Sequence, residues 1–226
     1  TDDIFTMSTC AATHIDALSH ISYDGLLYND TPASVVTASA GATKLGAEKL
    51  PDIVTRGVLI DLPRLKGVEG LDQVRPGYAV TAEDLDEAVE AAGVTIESGD
   101  VILLRTGEMR HYRAGDRDRY ALGDQFRLPG FSVHSIEWLH RHDVAGAFAD
   151  TYAYEAFPPT QKDWSDCLAG HMIQLRDRGM IQGQNWDLED LAVACAEAGR
   201  WTFLLSASPA RIVGASSAPV APVATL

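Results

Sequence analysis

The chain has 226 residues, 46% of them hydrophobic, which is enough for a sizeable core within one domain. Its 32 acidic against 18 basic residues leave a formal charge of −14, which argues against nucleic acid or an anionic membrane as partner. No apolar run approaches the roughly 18 residues of a membrane span, no charged-then-apolar leader opens the sequence, and the thiols at 10, 167 and 195 do not make a disulfide framework. A cytoplasmic protein with reduced cysteines is therefore expected.

The first feature along the chain is Cys10-Ala-Ala-Thr-His14-Ile-Asp16-Ala-Leu-Ser-His20, which places two imidazoles, a carboxylate and a thiol close together. These donors suit zinc, and His with Asp also suits manganese, so the segment outlines a divalent-metal site. In an extended strand His14 and Asp16 point the same way about 7 Å apart. Cys10 would then lie about 13 Å from His14, and it joins the same ion only if Ala11 and Ala12 bend the chain. His20 is placed near the ion as a general acid or base, because an imidazole titrates near neutrality.

Gly57–Asp61 and Val101–Arg105 read as short buried strands, being apolar runs too short for helices. Between them Thr81 caps a helix with Leu85, Ala88, Val89 and Ala92 on its apolar face, and Gly93 stops it. Ser132 caps a helix over Val133–Arg141, and Val144–Ala149 forms a strand that delivers Asp150 at its carboxyl end, where α/β folds often keep functional groups. A helical pattern over Trp164–Arg178 carries His171 and closes at Gly179. Asp187 caps a further helix that buries Leu188, Leu191, Ala192 and Cys195. Cys167 and Cys195 read as core fillers. Trp201–Ala207 is a buried strand, and the Pro-rich close over Ala218–Ala224 suits an extended arm lying on a neighbouring surface. Phosphate-binding Gly-rich loops and a Gly-x-Ser-x-Gly elbow are absent from the sequence. A Cys10 nucleophile beside His14 ranks below metal chemistry.

The segment from Cys10 to His20 resembles the His-x-Gly-Thr-His-x-Asp-x-Pro-x-His signature of the putative cyclase family, which includes bacterial kynurenine formamidases and isatin hydrolases. Thr13-His14-Ile15-Asp16-Ala17 and His20 match, whereas Cys10, Ala12 and Leu18 stand where His, Gly and Pro are expected. Further likenesses are Asp100–Gly107, Gly146–Asp150, His171 with Gly179–Asn185, and Ala207–Arg211 through Ala224, so the resemblance covers nearly the whole chain. It implies a swivelling β/β/α fold, an α/β architecture in which a mixed sheet is flanked by helices. It also implies a homodimer or larger homo-oligomer and a metal shell completed by His171 and Gln184. Glutamine at 184 points to one zinc or manganese ion, with room left for a second. Members of that family carry some tens of residues ahead of the motif, so an N-terminal segment outside this sequence is expected.

The expected activity is hydrolysis of a small amide, lactam or related ring carbonyl by metal-activated water, held by His14, Asp16, Cys10, His171 and Gln184 with His20 moving the proton. The alternatives are a metal-dependent cyclase or lyase, and a catalytically silent binding or assembly protein. For substrate contact the sequence suggests Tyr23, Tyr28, Phe131 and Trp186, whose rings could stack on a flat substrate, together with Asp150.

Overall fold

The computed structural model describes residues 1–159 and 168–226. One eight-stranded sheet organises it, built from β1 (His14–Asp16), β2 (Ile53–Asp61), β3 (Val101–Arg105), β4 (Gly146–Ala149), β5 (Ile181–Gln184), β6 (Thr202–Ala207), β7 (Ser217–Pro219) and β8 (Val223–Thr225). The order across it is β7-β1-β5-β4-β3-β2-β6-β8. The centre, β5-β4-β3-β2, is parallel, and the strands outside it are antiparallel. β7 and β8 lie at opposite ends of this order although only Val220, Ala221 and Pro222 separate them. Four Cα–Cα steps reach about 15 Å at most, so the sheet must curl until its two edges come within that distance. The expected arm is thus two edge strands that close the curl.

The parallel strands are buried on both faces, as helix-covered parallel strands require. Leu59, Val101, Leu103 and Phe148 face one apolar cluster with Ile15, Phe203, Leu205 and Cys195. The alternating residues Val58, Ile60, Ile102, Leu104, Ala147 and Ala149 face another, with Leu85, Trp138 and Leu139. That second cluster is capped by α2 (Ala82–Ala92) and α5 (Val133–Arg141). Thr81 and Ser132 are the caps read from the sequence, each closing a capping box with the residue three further on, and Gly93 ends α2 in the left-handed region at φ 62°. α1 (Leu62–Lys66), α3 (Met109–Arg113) and α4 (Arg117–Leu122) are short, and α7 (Glu189–Ala198) covers the first cluster with Ala192 and Cys195.

Two sequence readings change in detail. The helix carrying His171 begins as α6 (Ala169–His171) and widens into π-helical turns over Met172–Asp177, while residues 164–167 of its expected start, Cys167 among them, lie outside the described residues. The helix after Asp187 starts at Glu189 with Leu188 at its cap, although Asp187 Oδ1 still accepts from Glu189 N at 3.3 Å. Among the described residues no helix is long and apolar enough to cross a membrane.

Candidate metal centre

β1 is only three residues long, yet it sits between β5 and β7 and is antiparallel to both. His14 stands opposite Gln184 and Asp16 opposite Gln182, so these four side chains share one face of the β1–β5 pair. Ile15 and Gly183, the pair between them, take the other face. A Cβ on Gly183 would lie 2.3 Å from the His14 carbonyl oxygen, so only glycine lets β1 close onto β5 at this point.

Ahead of β1 the chain bends. Ala11 N donates to Ser8 O at 3.1 Å, and the turn brings Cys10 Sγ, a His14 ring nitrogen and an Asp16 oxygen within 4.8 Å of one another. The small residues at 11 and 12 thus permit the bend that the thiol needs. Beyond β1, a turn closed by His20 N on Ala17 O at 2.9 Å returns His20 Nδ1 to 3.6 Å from Asp16 Oδ1. From α6, His171 Nε2 reaches 3.7 Å from Asp16 Oδ2 and 3.1 Å from Gln184 Nε2. All six residues expected at the metal site and its proton-transfer position, Cys10, His14, Asp16, His20, His171 and Gln184, are therefore gathered at one place.

Their hydrogen bonds settle how they face. His14 Nδ1 donates to the Ala12 carbonyl at 2.8 Å, which leaves the Nε2 lone pair turned to Asp16 Oδ1 at 3.6 Å. His171 Nδ1 donates to Glu155 Oε1 at 2.6 Å, and its Nε2 accepts from the Gln184 amide. Asp16 is fully buried. Its Oδ2 accepts from Gln184 Nε2 at 2.8 Å and Gln182 Nε2 at 3.2 Å, whereas Oδ1 has no hydrogen-bond partner among the described residues. His20 Nδ1 is buried too, with no partner among the described residues.

Gln184 corrects one expectation. It turns its amide nitrogen, not its oxygen, toward Asp16 and His171, so in this arrangement it orients two neighbours and offers no donor oxygen. His20 also stands to Asp16 Oδ1 as His14 does, both at 3.6 Å, so geometry alone does not separate ligand from proton carrier.

Protonation follows the same contacts. Burial pushes the Cys10 thiol up, but hydrogen bonds with His14 and Ser217 outweigh it and hold the thiol below its ordinary value. For His14 burial opposes the charged form, and the Cys10 contact and Asp16 charge overcome it, raising the imidazole. For His20 burial prevails over the Asp16 carboxylate and lowers the ring.

The cluster opens into a cavity of about 840 Å³ to which Cys10, His14, His20, His171 and Gln184 contribute. Its remaining wall mixes five aromatic rings, Tyr112, Tyr120, Phe126, Tyr152 and Phe157, with aliphatic and small side chains and the charged Arg117 and Asp187. None of the substrate contacts expected from the sequence is there. Tyr23 donates to Asp177 under the Arg176 guanidinium, 4.4 Å from its ring centroid, and Tyr28 packs against Gly179. Phe131 is a fully buried core residue. Trp186 stacks on Phe148 at 4.2 Å and donates to the His14 carbonyl at 3.2 Å, because Asn185 at φ 59° ends β5 and turns the next side chain to the opposite face. Asp150 is fully buried, accepting from Thr106 N, Thr106 Oγ1 and Gly107 N at 2.7–2.8 Å, which makes it a loop anchor.

Sequence reasoning missed Glu155 and Gln182. Glu155 takes Gly170 N, His171 N and His171 Nδ1, fixing both the start of α6 and the His171 tautomer. Gln182 shares the Asp16 carboxylate from β5. The strand alternation of Gln182 and Gln184 was a usable signal; for Glu155 there was none.

A family model described as Putative cyclase matches residues 2–156. A solved structure described as a novel cyclase is 34% identical and superposes with a TM-score of 0.87, covering 100% of this chain and 72% of that one. An isatin hydrolase bound to the product analogue thioisatinate is 18% identical with a TM-score of 0.68, covering 97% and 72%. A predicted metal-dependent hydrolase from Bacillus stearothermophilus is 17% identical with a TM-score of 0.56, covering 97% and 78%. No curated protein matches this chain by sequence. With a matching model over more than half its length and a relative at one-third identity over all of it, the chain belongs to the putative cyclase family.

Proposed function

We propose that this protein is a metal-dependent hydrolase that cleaves a small amide, lactam or related ring carbonyl, with Asp16 at the centre of the metal shell. The observation that carries this reading is Asp16 Oδ1, a buried carboxylate oxygen without a partner that faces two imidazole nitrogens at 3.6 Å each. Between His14 Nε2 and Asp16 Oδ1 that spacing is too long for a hydrogen bond and close to the edge of about 3.4 Å between two ligands of a tetrahedral zinc. The donor set fits, since a neutral imidazole lone pair, a carboxylate and a thiol converge on one point.

His14 and Asp16 would hold the ion with Cys10, and His171 stands ready on the far side of the same carboxylate. A divalent ion there supplies Lewis acidity and brings the pKa of bound water toward neutrality. The chain's own groups do the rest. Glu155 holds His171, Gln182 and Gln184 hold Asp16, and His20, at the cavity edge with its ring lowered by burial, carries the proton between water and the leaving nitrogen. The aromatic rings in the cavity wall suit stacking on a flat ring substrate, and an isatin hydrolase that shares the fold binds the product analogue thioisatinate.

The test is metal analysis of the purified protein followed by assay of N-formyl aromatic amines and isatin-type lactams in labelled water. Stoichiometric metal and incorporation of one labelled oxygen into the product support the reading. Metal-free protein with no gain in melting temperature on adding zinc or manganese defeats it. Turnover without label would instead favour a lyase or cyclase, the chemistry named for the 34% identical relative.

A further inference from the structure

The centre divides into two unlike halves that share Asp16. One is Cys10, His14 and Asp16; the other is Asp16, His20 and His171. The second offers two imidazoles and one carboxylate, a set that manganese accepts as well as zinc does. The first carries a sulfur, and the fold holds that sulfur in place. Ser217, fully buried on β7, puts its hydroxyl 3.0 Å from Cys10 Sγ and 2.7 Å from Thr9 Oγ1. When Thr9 donates to Ser217, the Ser217 proton is free to point at sulfur, so the pair is arranged to support a sulfur anion. The unpartnered Asp16 Oδ1 faces the same point. A thiolate and a carboxylate together carry two negative charges, matching a divalent ion, whereas the His20–His171 half carries one.

We infer that Cys10 ligates as a thiolate and makes the Cys10–His14–Asp16 half selective for a thiophilic ion, zinc over manganese. This rests on the metal-centred reading above and assigns the residue that sets the identity of the ion. As the ion binds, the S–H bond gives its proton to solvent and sulfur keeps the electron pair for the metal.

The experiment is a cobalt(II) titration of chelator-stripped whole protein, read by absorption, with zinc and manganese competition on wild type and Cys10→Ser. Thiolate ligation gives a near-ultraviolet sulfur-to-cobalt charge-transfer band alongside the visible ligand-field bands. The serine variant loses that band, and its zinc affinity falls by about a hundredfold or more while manganese affinity changes by less than about tenfold. A measurement that needs no variant accompanies it: stoichiometric zinc should block alkylation of Cys10 by iodoacetamide, mapped by peptide mass. Visible bands without charge transfer, unblocked alkylation at saturating zinc, or equal losses for zinc and manganese overturn the thiolate assignment and leave the metal centre standing. Absence of any cobalt binding overturns the metal centre, and the inference with it.

Discussion

Asp16 on β1 and Asp150 just past the end of β4 are both fully buried carboxylates, and they differ in what their oxygens meet. Asp150 accepts from a hydroxyl and two backbone N–H groups; burial still lifts it to about 6, against the pull of those donors, and it remains ionised at neutral pH. Asp16 has donors on one oxygen only, and its other oxygen is turned bare toward two imidazoles at the cavity. Glu108 makes a third case, buried with both oxygens unpartnered among the described residues but set near Asp72 and His111, outside the cavity lining. Burial of a carboxyl is therefore no sign of function by itself. What distinguishes Asp16 is an unsatisfied oxygen aimed at other ligand atoms beside a space that a substrate can enter.

The comparison breaks most sharply at Asp16. Asp16→Ala should abolish stoichiometric metal binding and lower kcat/KM by about 10³-fold or more, since several kcal/mol of charge stabilisation go with the ion. Retention of metal and activity would end the assignment. His20→Ala should cut turnover by about two to four orders of magnitude with metal content intact. Loss of metal in that variant would make His20 a ligand instead of a proton carrier, a choice the equal 3.6 Å distances leave to experiment. Glu155→Gln should weaken metal binding by about 10–100-fold through His171, and calorimetric titration would show it.

At Asp150 the expected effect is on folding. Asp150→Asn should destabilise by about 1–3 kcal/mol, because an amide cannot accept from all three donors, while metal stoichiometry stays unchanged. Urea melts with parallel metal analysis would separate these, and a metal-free but stable variant would contradict the anchoring role. The last effect, at Glu108, is one of pH dependence and touches neither metal nor turnover. Burial, with the Asp72 and Asp150 charges, pushes its carboxyl up to about 8 from 4.5. The folded state then holds a proton that the unfolded state has released. Stability from this group is fully present below the unfolded value and falls by about 1.4 kcal/mol per pH unit as pH rises toward about 8. Glu108→Gln should flatten that descent, and identical pH slopes for the two proteins in urea melts would rule it out.

Much of the centre could be read from eleven residues because strand alternation is local: it places His14 and Asp16 on one face without knowledge of the partner strand. The helix caps at Thr81 and Ser132 were legible for the same reason, since a capping box closes over three residues. The substrate contacts were not. Tyr23 and Tyr28 follow the motif in sequence, but the chain has by then left the cavity for the His171 helix. The aromatic rings in the cavity wall come instead from Tyr112, Tyr120 and Phe126 and from Tyr152 and Phe157, segments with no periodic signature of their own.

The sequence by itself determined which donors exist, their order and the alternation that makes His14 and Asp16 neighbours, because these depend on backbone geometry within a few residues. Tertiary structure decided the rest. The register of β1 against β5 aligns Gln182 and Gln184 with Asp16, Glu155 selects the His171 tautomer, and β7 brings Ser217 to Cys10. Those contacts join residues far apart in the chain. Their partners are chosen by sheet order and curl, which no local pattern specifies.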